Sequence, residues 1–574
     1  MIENKRINTI IIVAVVFAAA ISLLMVLAGV KGENSINKSE AEYTTKIFGG
    51  DIISIEIIVD ENNWKQMIDN ARKEEFILAD VIVNGSRFQN VGIRPKGNSS
   101  LAQVASSDSD RYSFRLQFDE YIKDQTCFGL ESFVINNMFG DNTYMKEYIS
   151  YDLMREIGVD APLFGFADIK VNGENQGLYL AVELYNESYE QRVFNDTSGM
   201  LYNVKSMEMD GIHSFQGPDS NSAPGFNMPP NKYTSNHLEN KDGESKNKDN
   251  SIRLKGGRDT SGGSLEYKDD KIESYSAIFN NVVGKGTGKK YQRVIQALKM
   301  LSENKDLENY FDIDKILRYL AAHTIVVNLD SYNSSMAQNY YIYEKDGIIT
   351  ILPWDYNLAW GGFQSGSASS VINFPIDTPL SGVEMSSRPL IEKLFANTDY
   401  LQTYHSYLQQ LVDNYFANGK LEEKVNNLDE FISDYVKNDK TAYCTYEEYK
   451  KAILSFITLG NLRAASVQGQ LDGTVPSTKA AQKDSAYKLI PAGDLNLSDL
   501  GSMRAGEGGA KGDPAGKVGN QSVNAFRKDM DDDTDRKLMA NAMDVIQESN
   551  VEFFALALTL ILSLVFAVMY KKRY

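Results

Sequence analysis

Apolar and polar residues alternate in several short runs near the start of the chain, and this period of two predicts β-strands. Asn-Gly follows one run at Asn84-Gly85 and separates two others at Asn172-Gly173, which favours two-residue hairpin turns. The pattern therefore predicts an antiparallel sheet. Its strand-like runs are 52–59, 79–83, 114–118, 167–171 and 177–183.

Farther along the chain, apolar residues recur at helical spacing. Residues 146–157 and 316–327 are predicted to form helices. Three longer helices with heptad-like spacing, suited to a bundle, are predicted at 389–411, 421–436 and 446–471. The strand-rich part thus precedes a helical part, and we predict an α+β fold.

Both ends of the chain carry uncharged apolar runs of 22 residues (9–30) and 18 residues (553–570, within a predicted segment at 551–570). Each is near the length that crosses the core of a bilayer. Basic residues lie on the terminal side of both runs, within 1–8 and 571–574, so the positive-inside rule places both termini in the cytoplasm. The first run could also be a cleaved signal peptide, although no small-x-small site precedes Lys31.

These runs predict a multi-pass protein of the cell membrane, with the lipid bilayer as a partner and an extracytoplasmic main domain. The predicted domain spans 51–471 after a linker at 31–50. Residues 206–263 are polar with little apolar periodicity, which predicts a mobile insertion. The stretch 472–550 is predicted to be a flexible stalk that joins the domain to the second membrane segment.

Charge and composition narrow the classes of function. The formal net charge of −18 argues against nucleic acid or an anionic lipid surface as the main partner. Cys127 and Cys444 match no metal-ligand spacing, and the four histidines are scattered, so a zinc site is not expected. One disulfide between the two cysteines stays open.

Asp330 and Asp355 are the strongest candidates for chemistry. Each lies at the edge of a strand-like run, and a short hairpin separates them. Protein kinases supply a catalytic base, a metal-binding Asn and a metal-binding Asp in a similar order. Two carboxylates and an amide can hold magnesium and orient an acceptor hydroxyl. The alternative is that each Asp only occupies a turn at the end of a strand.

The loop 94–100 is a second candidate, since it offers a glycine, two cationic side chains and several small polar ones. Its backbone amides and its side chains Arg94, Lys96 and Ser99 could cradle phosphates. An ordinary hairpin turn is the alternative.

Taken in order, these segments resemble the spore coat protein H (CotH) kinase family. The resemblance covers roughly 51–471 and rests on 92–100, 113–118, 177–183 and the pair 328–330 and 353–357. It implies an atypical protein-kinase-like fold of two lobes, with an antiparallel small-lobe sheet and a helical C-terminal lobe, here flanked by two transmembrane helices. It also implies transfer of phosphate from ATP, with Mg²⁺ or Mn²⁺, to protein substrates.

The resemblance also implies roles for single residues. Asp330 is the expected catalytic residue and Asp355 the expected metal ligand. Asn339 is a candidate second ligand, for which Asn333 competes because the step from Asp330 to Asn339 is longer than in ordinary protein kinases.

The expected nucleotide-binding residues lie in the strand-rich lobe. Glu183 falls where a strand leaves that lobe, at the position of the hinge that holds adenine, although a surface salt bridge is an equal alternative. The family usually has a Lys shortly before the aromatic residue of 113–115, whereas Arg111 stands here and Arg115 is a second candidate. Either Arg could pair with phosphate as a planar fork. With Arg94, Lys96 and Ser99, these residues complete the expected nucleotide site.

Three functions are compatible with these observations. The first is a membrane-anchored protein kinase acting on secreted, coat or cell-surface proteins. The second is a non-catalytic scaffold for envelope or spore coat assembly, and the third is an enzyme acting on polyphosphate, because ATP is scarce outside a cell. The presence of both Asp330 and Asp355 favours an enzyme.

Overall fold

In the computed structural model, which describes residues 41–205, 261–284 and 286–501, the first strands of the chain close into a seven-stranded barrel. The strands follow the order β1-β2-β3-β4-β5-β7-β6. Neighbours are antiparallel except β1 and β6, which pair in parallel with Ile55 opposite Ile169. The barrel strands are β1 (Ile53–Ile58), β2 (Ile77–Val83), β3 (Ser86–Lys96), β4 (Ser113–Gln117), β5 (Ser132–Asn136), β6 (Phe164–Val171) and β7 (Glu174–Glu183).

Apolar residues alternate with more exposed residues along the barrel strands, and the apolar side chains fill the barrel interior. Ile53, Ile55 and Ile57 of β1 are buried in a core made of barrel residues, while Ser54 and Glu56 point outward. The turn between β2 and β3 is formed by Asn84 and Gly85, both with positive φ (47° and 82°), as the predicted hairpin turn requires.

A second, smaller sheet contains the hairpin that separates the two acids in sequence. Its order is β11-β10-β8-β9, and β10 and β11 pair antiparallel from Tyr340–Pro353 to Lys345–Ile348. Because β11 ends at Pro353, Asp355 lies just past its end. The strands of this sheet are β8 (Met200–Val204), β9 (Val282–Val283), β10 (Tyr340–Lys345) and β11 (Ile348–Pro353).

Helices precede, interrupt and follow the strands. The first six in the chain are α1 (Glu42–Lys46), α2 (Glu61–Asp69), α3 (Ser99–Val104), α4 (Lys146–Glu156), α5 (Glu187–Phe194) and α6 (Ser276–Phe279). The remaining α-helices of the described residues are α7 (Gly288–Glu303), α8 (Ile313–Val326), α9 (Ala368–Ile372), α10 (Pro389–Phe395), α11 (Thr398–Leu411), α12 (Lys420–Asn438), α13 (Tyr446–Leu471) and α14 (Lys479–Asp484).

Outside the barrel interior, buried residues of the helices and of the smaller sheet form a second hydrophobic core. The helix α8 belongs to this core, and it ends directly before the segment that carries Asp330. Arg463 of α13 is fully buried and donates to the carbonyl of Thr324 (2.9 Å) and to the carbonyl of Phe374 (2.7 Å). The first of these bonds satisfies a carbonyl in the last turn of α8, which has no partner within the helix itself. The end of α8 is therefore held firmly against α13.

The fold class predicted from the sequence is wrong in two respects. The expected antiparallel small-lobe sheet is a closed barrel with one parallel pair, because β1 and β6 meet through a contact distant in sequence. The two flanking transmembrane helices are also unsupported: within 41–205, 261–284 and 286–501, no helix combines the length and apolar character needed to cross a bilayer.

The predicted membrane localisation is corrected for the same reason. The runs 9–30 and 551–570 lie outside the described residues, and the structure provides no membrane span on which an extracytoplasmic placement could rest. The longest described helix, α13, has 26 residues but carries Lys450, Lys451 and Arg463, so its apolar face belongs to the protein core.

Residues 472–501 differ from the expected flexible stalk, because they pack on the body. Leu500 is buried, and its carbonyl accepts a hydrogen bond from the backbone N–H of Asn142 (3.1 Å). The Nζ of Lys146, the first residue of α4, donates to the carbonyl of Gly501 (3.3 Å). The remaining stalk residues, 502–550, lie outside the described part. Cys127 and Cys444 are both free thiols.

Most of the polar insertion, 206–260, also lies outside the described residues, but its two ends meet the same residue. The backbone N–H of Lys205 donates to the carbonyl of Ala277 (3.1 Å), and the N–H of Ala277 donates to the carbonyl of Ser261 (3.0 Å). A short linker can therefore join residue 205 to residue 261.

We expect that replacing residues 206–260 with a short Gly-Ser linker leaves the body folded. The replaced segment has little apolar sequence with which to contribute to a core. The melting temperature of the shortened protein should lie within about 3 °C of the full chain's, a shift of less than roughly 1 kcal/mol. A large fall in melting temperature would show that the insertion packs against the body.

Candidate active site

The two predicted acids are brought together by one side chain, Asn328. The backbone N–H of Asp330 donates to Oδ1 of Asn328 (3.2 Å), and Nδ2 of Asn328 donates to the carbonyl of Asp355 (3.1 Å). Asn328 follows the end of α8, and Asp355 follows β11 with a positive φ of 62°. A buried amide thus joins the turn after the helix to the end of the hairpin.

The carboxylate of Asp330 is oriented by two amides. Nε2 of Gln338 donates to Oδ1 (2.8 Å) and Nδ2 of Asn339 donates to Oδ2 (3.0 Å). Burial and then the negative charge of Asp355 raise the pKa of Asp330 to about 7, while the hydrogen bonds from the two amides oppose the shift. The influence of Asp355 on this pKa places the two carboxylates within electrostatic reach of one another.

Glu147 is a third carboxylate of the site. It lies in the first turn of α4 and is buried, and its pKa is raised to about 7 by burial and then by the charge of Asp355. Nδ2 of Asn136 donates to its Oε2 (2.8 Å). The hydroxyl of Tyr151 bonds to Glu147 and accepts from the backbone N–H of Asp355 (3.2 Å).

Sequence reasoning missed Glu147 because it belongs to no motif, although the predicted helix at 146–157 contains it. An acidic residue on the first turn of a helix that follows a barrel strand was the available signal.

Lys96 connects the barrel to these acids. Its Nζ donates to Oδ1 of Asn136 (3.0 Å) and lies 6.0 Å from the centre of the Trp354 ring. Its positive charge lowers the pKa of Glu147, so the cation and the carboxylate are close. A chain of polar groups, Lys96 to Asn136 to Glu147, therefore runs from the last residue of β3 to α4.

Two further cations stand on the same outer face of the barrel. Arg94 and Arg115 are direct partners across β3 and β4, and Arg94 is two residues before Lys96 and so shares its face. Burial and the charge of Arg94 lower the pKa of Arg115, while the phenolic group of Tyr341 on β10 opposes the shift. Arg94 also pairs with Glu74. Ser99 begins α3, three residues beyond Lys96.

Two predicted nucleotide-binding residues make their contacts elsewhere. Arg111 is buried and pairs with Asp439 (2.6 Å) in the loop after α12, and it also donates to the carbonyl of Asn137 (2.9 Å). Glu183 accepts from the hydroxyl of Tyr43 (2.7 Å) and pairs with Arg192. Both side chains hold the fold together in the structure, and neither joins the group around Asp330 and Asp355.

Of the two competing asparagines, Asn339 lies against Asp330. Besides its bond to the carboxylate, its Nδ2 donates to the carbonyl of Asp330 (2.8 Å). Nδ2 of Asn333 donates instead to the carbonyl of Pro379 (2.9 Å). Asn333 therefore joins two loops, and Asn339 belongs to the site.

The donor set fits a divalent cation that also binds phosphate. Asp330, Asp355 and Glu147 are oxygen donors whose charges oppose one another, so a cation beside them would relieve the repulsion that raises two of their pKa values. Among the described residues no group of three or more His, Cys, Asp or Glu side chains is arranged to hold a metal alone. Mg²⁺ commonly takes one or two carboxylates and completes its shell with water and substrate phosphates.

Comparison with known proteins covers the same part of the chain. The family model described as CotH kinase protein matches residues 93–467, a range that includes Lys96, Glu147, Asp330 and Asp355. The inner spore coat protein H of Bacillus subtilis (strain 168) is 22% identical over 335 residues, which cover 58% of this chain and 75% of that protein.

Proposed function

The chain belongs to the CotH kinase protein family, and on this premise we propose that it transfers the γ-phosphate of ATP to hydroxyl groups of protein substrates with the help of Mg²⁺ or Mn²⁺. The observation that carries the proposal is a cation beside a group of acids. Lys96 is joined to Glu147 through Asn136, and the charge of Asp355 acts on both Glu147 and Asp330. The substrates to test first are spore coat proteins, because of the name of the Bacillus relative.

In this proposal the barrel binds the phosphates. Lys96 reaches the site from the end of β3 and is already held toward Glu147 through Asn136, as a phosphate-binding lysine must be held toward its site. Arg94 and Arg115 extend the positive face. A cation bound by Asp355 would neutralise charge on the phosphate oxygens, the usual contribution of metal ions to phosphoryl transfer.

Asp330 receives the proton of the acceptor. As the substrate oxygen bonds to the γ-phosphorus, the bond between that phosphorus and the β,γ-bridging oxygen breaks, ADP leaves, and the hydroxyl proton passes to the Asp330 carboxylate. Gln338 and Asn339 hold that carboxylate in place with bonds of 2.8 Å and 3.0 Å. Fixed orientation of the base is a large part of catalysis in this reaction class.

Mutual repulsion among buried carboxylates favours an enzyme over a scaffold. A group of acids whose pKa values are raised by burial and by one another reduces the stability of the folded protein at neutral pH. A scaffold has no use for such a group, whereas an enzyme recovers the loss when it binds a cation and a nucleotide.

We expect Asp355→Asn to weaken binding of ATP with Mg²⁺ by about 10- to 100-fold, since the cation loses a charged ligand. Isothermal titration calorimetry on the full chain, with and without Mg²⁺, measures this directly. Asp377→Asn is the matched control, because Asp377 pairs with His405 (2.6 Å) away from the site. Equal affinity in the wild type and Asp355→Asn would remove Asp355 as a metal ligand, and a wild type that binds no ATP would contradict the proposed function.

A further inference from the structure

A buried imidazole connects the residues that follow the two proposed catalytic acids. His323 in the last turn of α8 is 1% exposed. Its Nε2 lies 2.8 Å from Oγ of Ser331, and its Nδ1 lies 2.6 Å from the hydroxyl of Tyr356. Ser331 directly follows Asp330, and Tyr356 directly follows Asp355.

The hydrogen bonds define which nitrogen carries the proton. The hydroxyl of Ser331 donates its only hydrogen to the carbonyl of Asn328 (2.6 Å), so Oγ accepts from His323 and Nε2 must be protonated. Nδ1 is then an acceptor for the hydroxyl of Tyr356. Burial lowers the pKa of His323 to about 3, which keeps the ring neutral and the pattern constant.

We infer that His323 is a positioning residue that sets the separation between Asp330 and Asp355 in the proposed phosphate transfer. The inference rests on the proposed function of these acids. Both ring nitrogens are engaged by Ser331 and Tyr356 and the ring is enclosed, so His323 acts through its neighbours and touches neither nucleotide nor acceptor. It is a second connection beside Asn328, which joins the backbones of the same two segments.

The connection through His323 differs from that of Asn328 in its rigidity. A ring keeps its two nitrogens at fixed positions, and its face packs on Tyr319 with centroids 5.3 Å apart and an interplanar angle of 29°. The contact with Tyr319 and the two hydrogen bonds together hold the ring in one orientation. Asp330 is proposed to act on the acceptor hydroxyl and Asp355 on the cation that binds the phosphates. A small change in the distance between these two acids therefore has a large effect on the rate of transfer.

The two arms of His323 should have separable kinetic effects. Ser331→Ala removes the arm next to the proposed base, so kcat is expected to fall about tenfold while KM for ATP stays within about twofold. Tyr356→Phe removes the arm next to the metal-binding acid, so KM for ATP is expected to rise about fivefold. His323→Phe removes both and should lower kcat/KM by about 100-fold.

The experiment uses the full chain, radiolabelled ATP with Mg²⁺, and casein as the acceptor probe, with melting temperature recorded for every variant. Tyr189→Phe is the matched control: Tyr189 is a buried tyrosine on α5 whose hydroxyl donates to the carbonyl of Asp160 (2.8 Å), outside α8 and outside the segments that carry the two acids. Its loss should lower the melting temperature as much as Tyr356→Phe without changing kcat or KM.

Separate effects on kcat and KM from the two single-atom variants, absent from the control, would support the inference even if His323→Phe fails to fold. Wild-type activity with Ser331→Ala and Tyr356→Phe both kinetically unchanged would overturn it and leave the proposed function standing. A wild type that neither binds ATP nor transfers phosphate would overturn both together.

Discussion

Asp330→Asn is expected to reduce phosphate transfer by about 10³-fold while leaving ATP affinity within about twofold, because a general base acts mainly in the transition state. The asparagine keeps the shape of the side chain and its one oxygen still accepts one of the bonds from Gln338 and Asn339, whereas it cannot take a proton. Radiolabel transfer to casein and calorimetric ATP titration together measure the two effects. Asp377→Asn should change neither, and undiminished transfer by Asp330→Asn would remove Asp330 from the mechanism.

The same variant should be more stable than the wild type when no metal is bound. An acid whose pKa is raised from 3.8 to about 7 by folding holds its proton more tightly in the folded protein, so its contribution to stability falls as pH rises through that window. Wild type and Asp330→Asn should therefore melt at similar temperatures near pH 4. At pH 8 the variant should melt higher. A variant that loses activity but gains stability identifies Asp330 as a catalytic residue, because the loss of a structural residue would lower stability.

Asp439→Ala is expected to destabilise the protein by about 3–5 kcal/mol, the usual consequence of leaving one partner of a buried ion pair alone. Arg111 and Asp439 have side chains 1% and 0% exposed. Asp439 also accepts from the backbone N–H of Leu178 (3.1 Å) on β7. The pair therefore joins the barrel to the loop after α12, and its loss affects both cores.

Urea denaturation gives the change in unfolding free energy. Asp69→Ala is a suitable control, because it breaks an exposed ion pair with Lys65 and should hardly change stability. A second variant, Arg111→Met with Asp439→Leu, removes both charges and should recover part of the loss. A stability of Asp439→Ala close to that of the wild type would show that Arg111 finds another partner or water.

The part of the site that could be predicted is the part encoded by neighbours in sequence. Asp330 and Asn339 precede β10 and Asp355 follows β11, so one short hairpin separates the two acids in sequence. Their proximity needs only a local turn and the amide of Asn328. Glu147 could not be placed, because its approach to Asp355 depends on how α4 packs against α8 and bonds to the segment after β11, and no local pattern describes those contacts.

Arg111 was predicted to bind phosphate, but in the structure it forms a buried ion pair with Asp439. A cation just before an aromatic strand is compatible with phosphate binding and with a buried ion pair, and only the location of Asp439, more than 300 residues later, decides between them. Closure of the barrel through β1 and β6 is also a contact between residues that are distant in sequence. It could not be predicted, since parallel pairing leaves no turn signal in the sequence.

The docking of Leu500 and Gly501 beside α4 has a practical consequence for handling the protein. The family match ends at residue 467, but the carbonyls of Leu500 and Gly501 accept bonds from Asn142 and Lys146, next to Glu147. A recombinant fragment trimmed to the matched range would lose these partners, leave the ammonium of Lys146 with fewer acceptors, and loosen the helix that presents Glu147. The smallest unit suited to biochemistry therefore extends to Gly501.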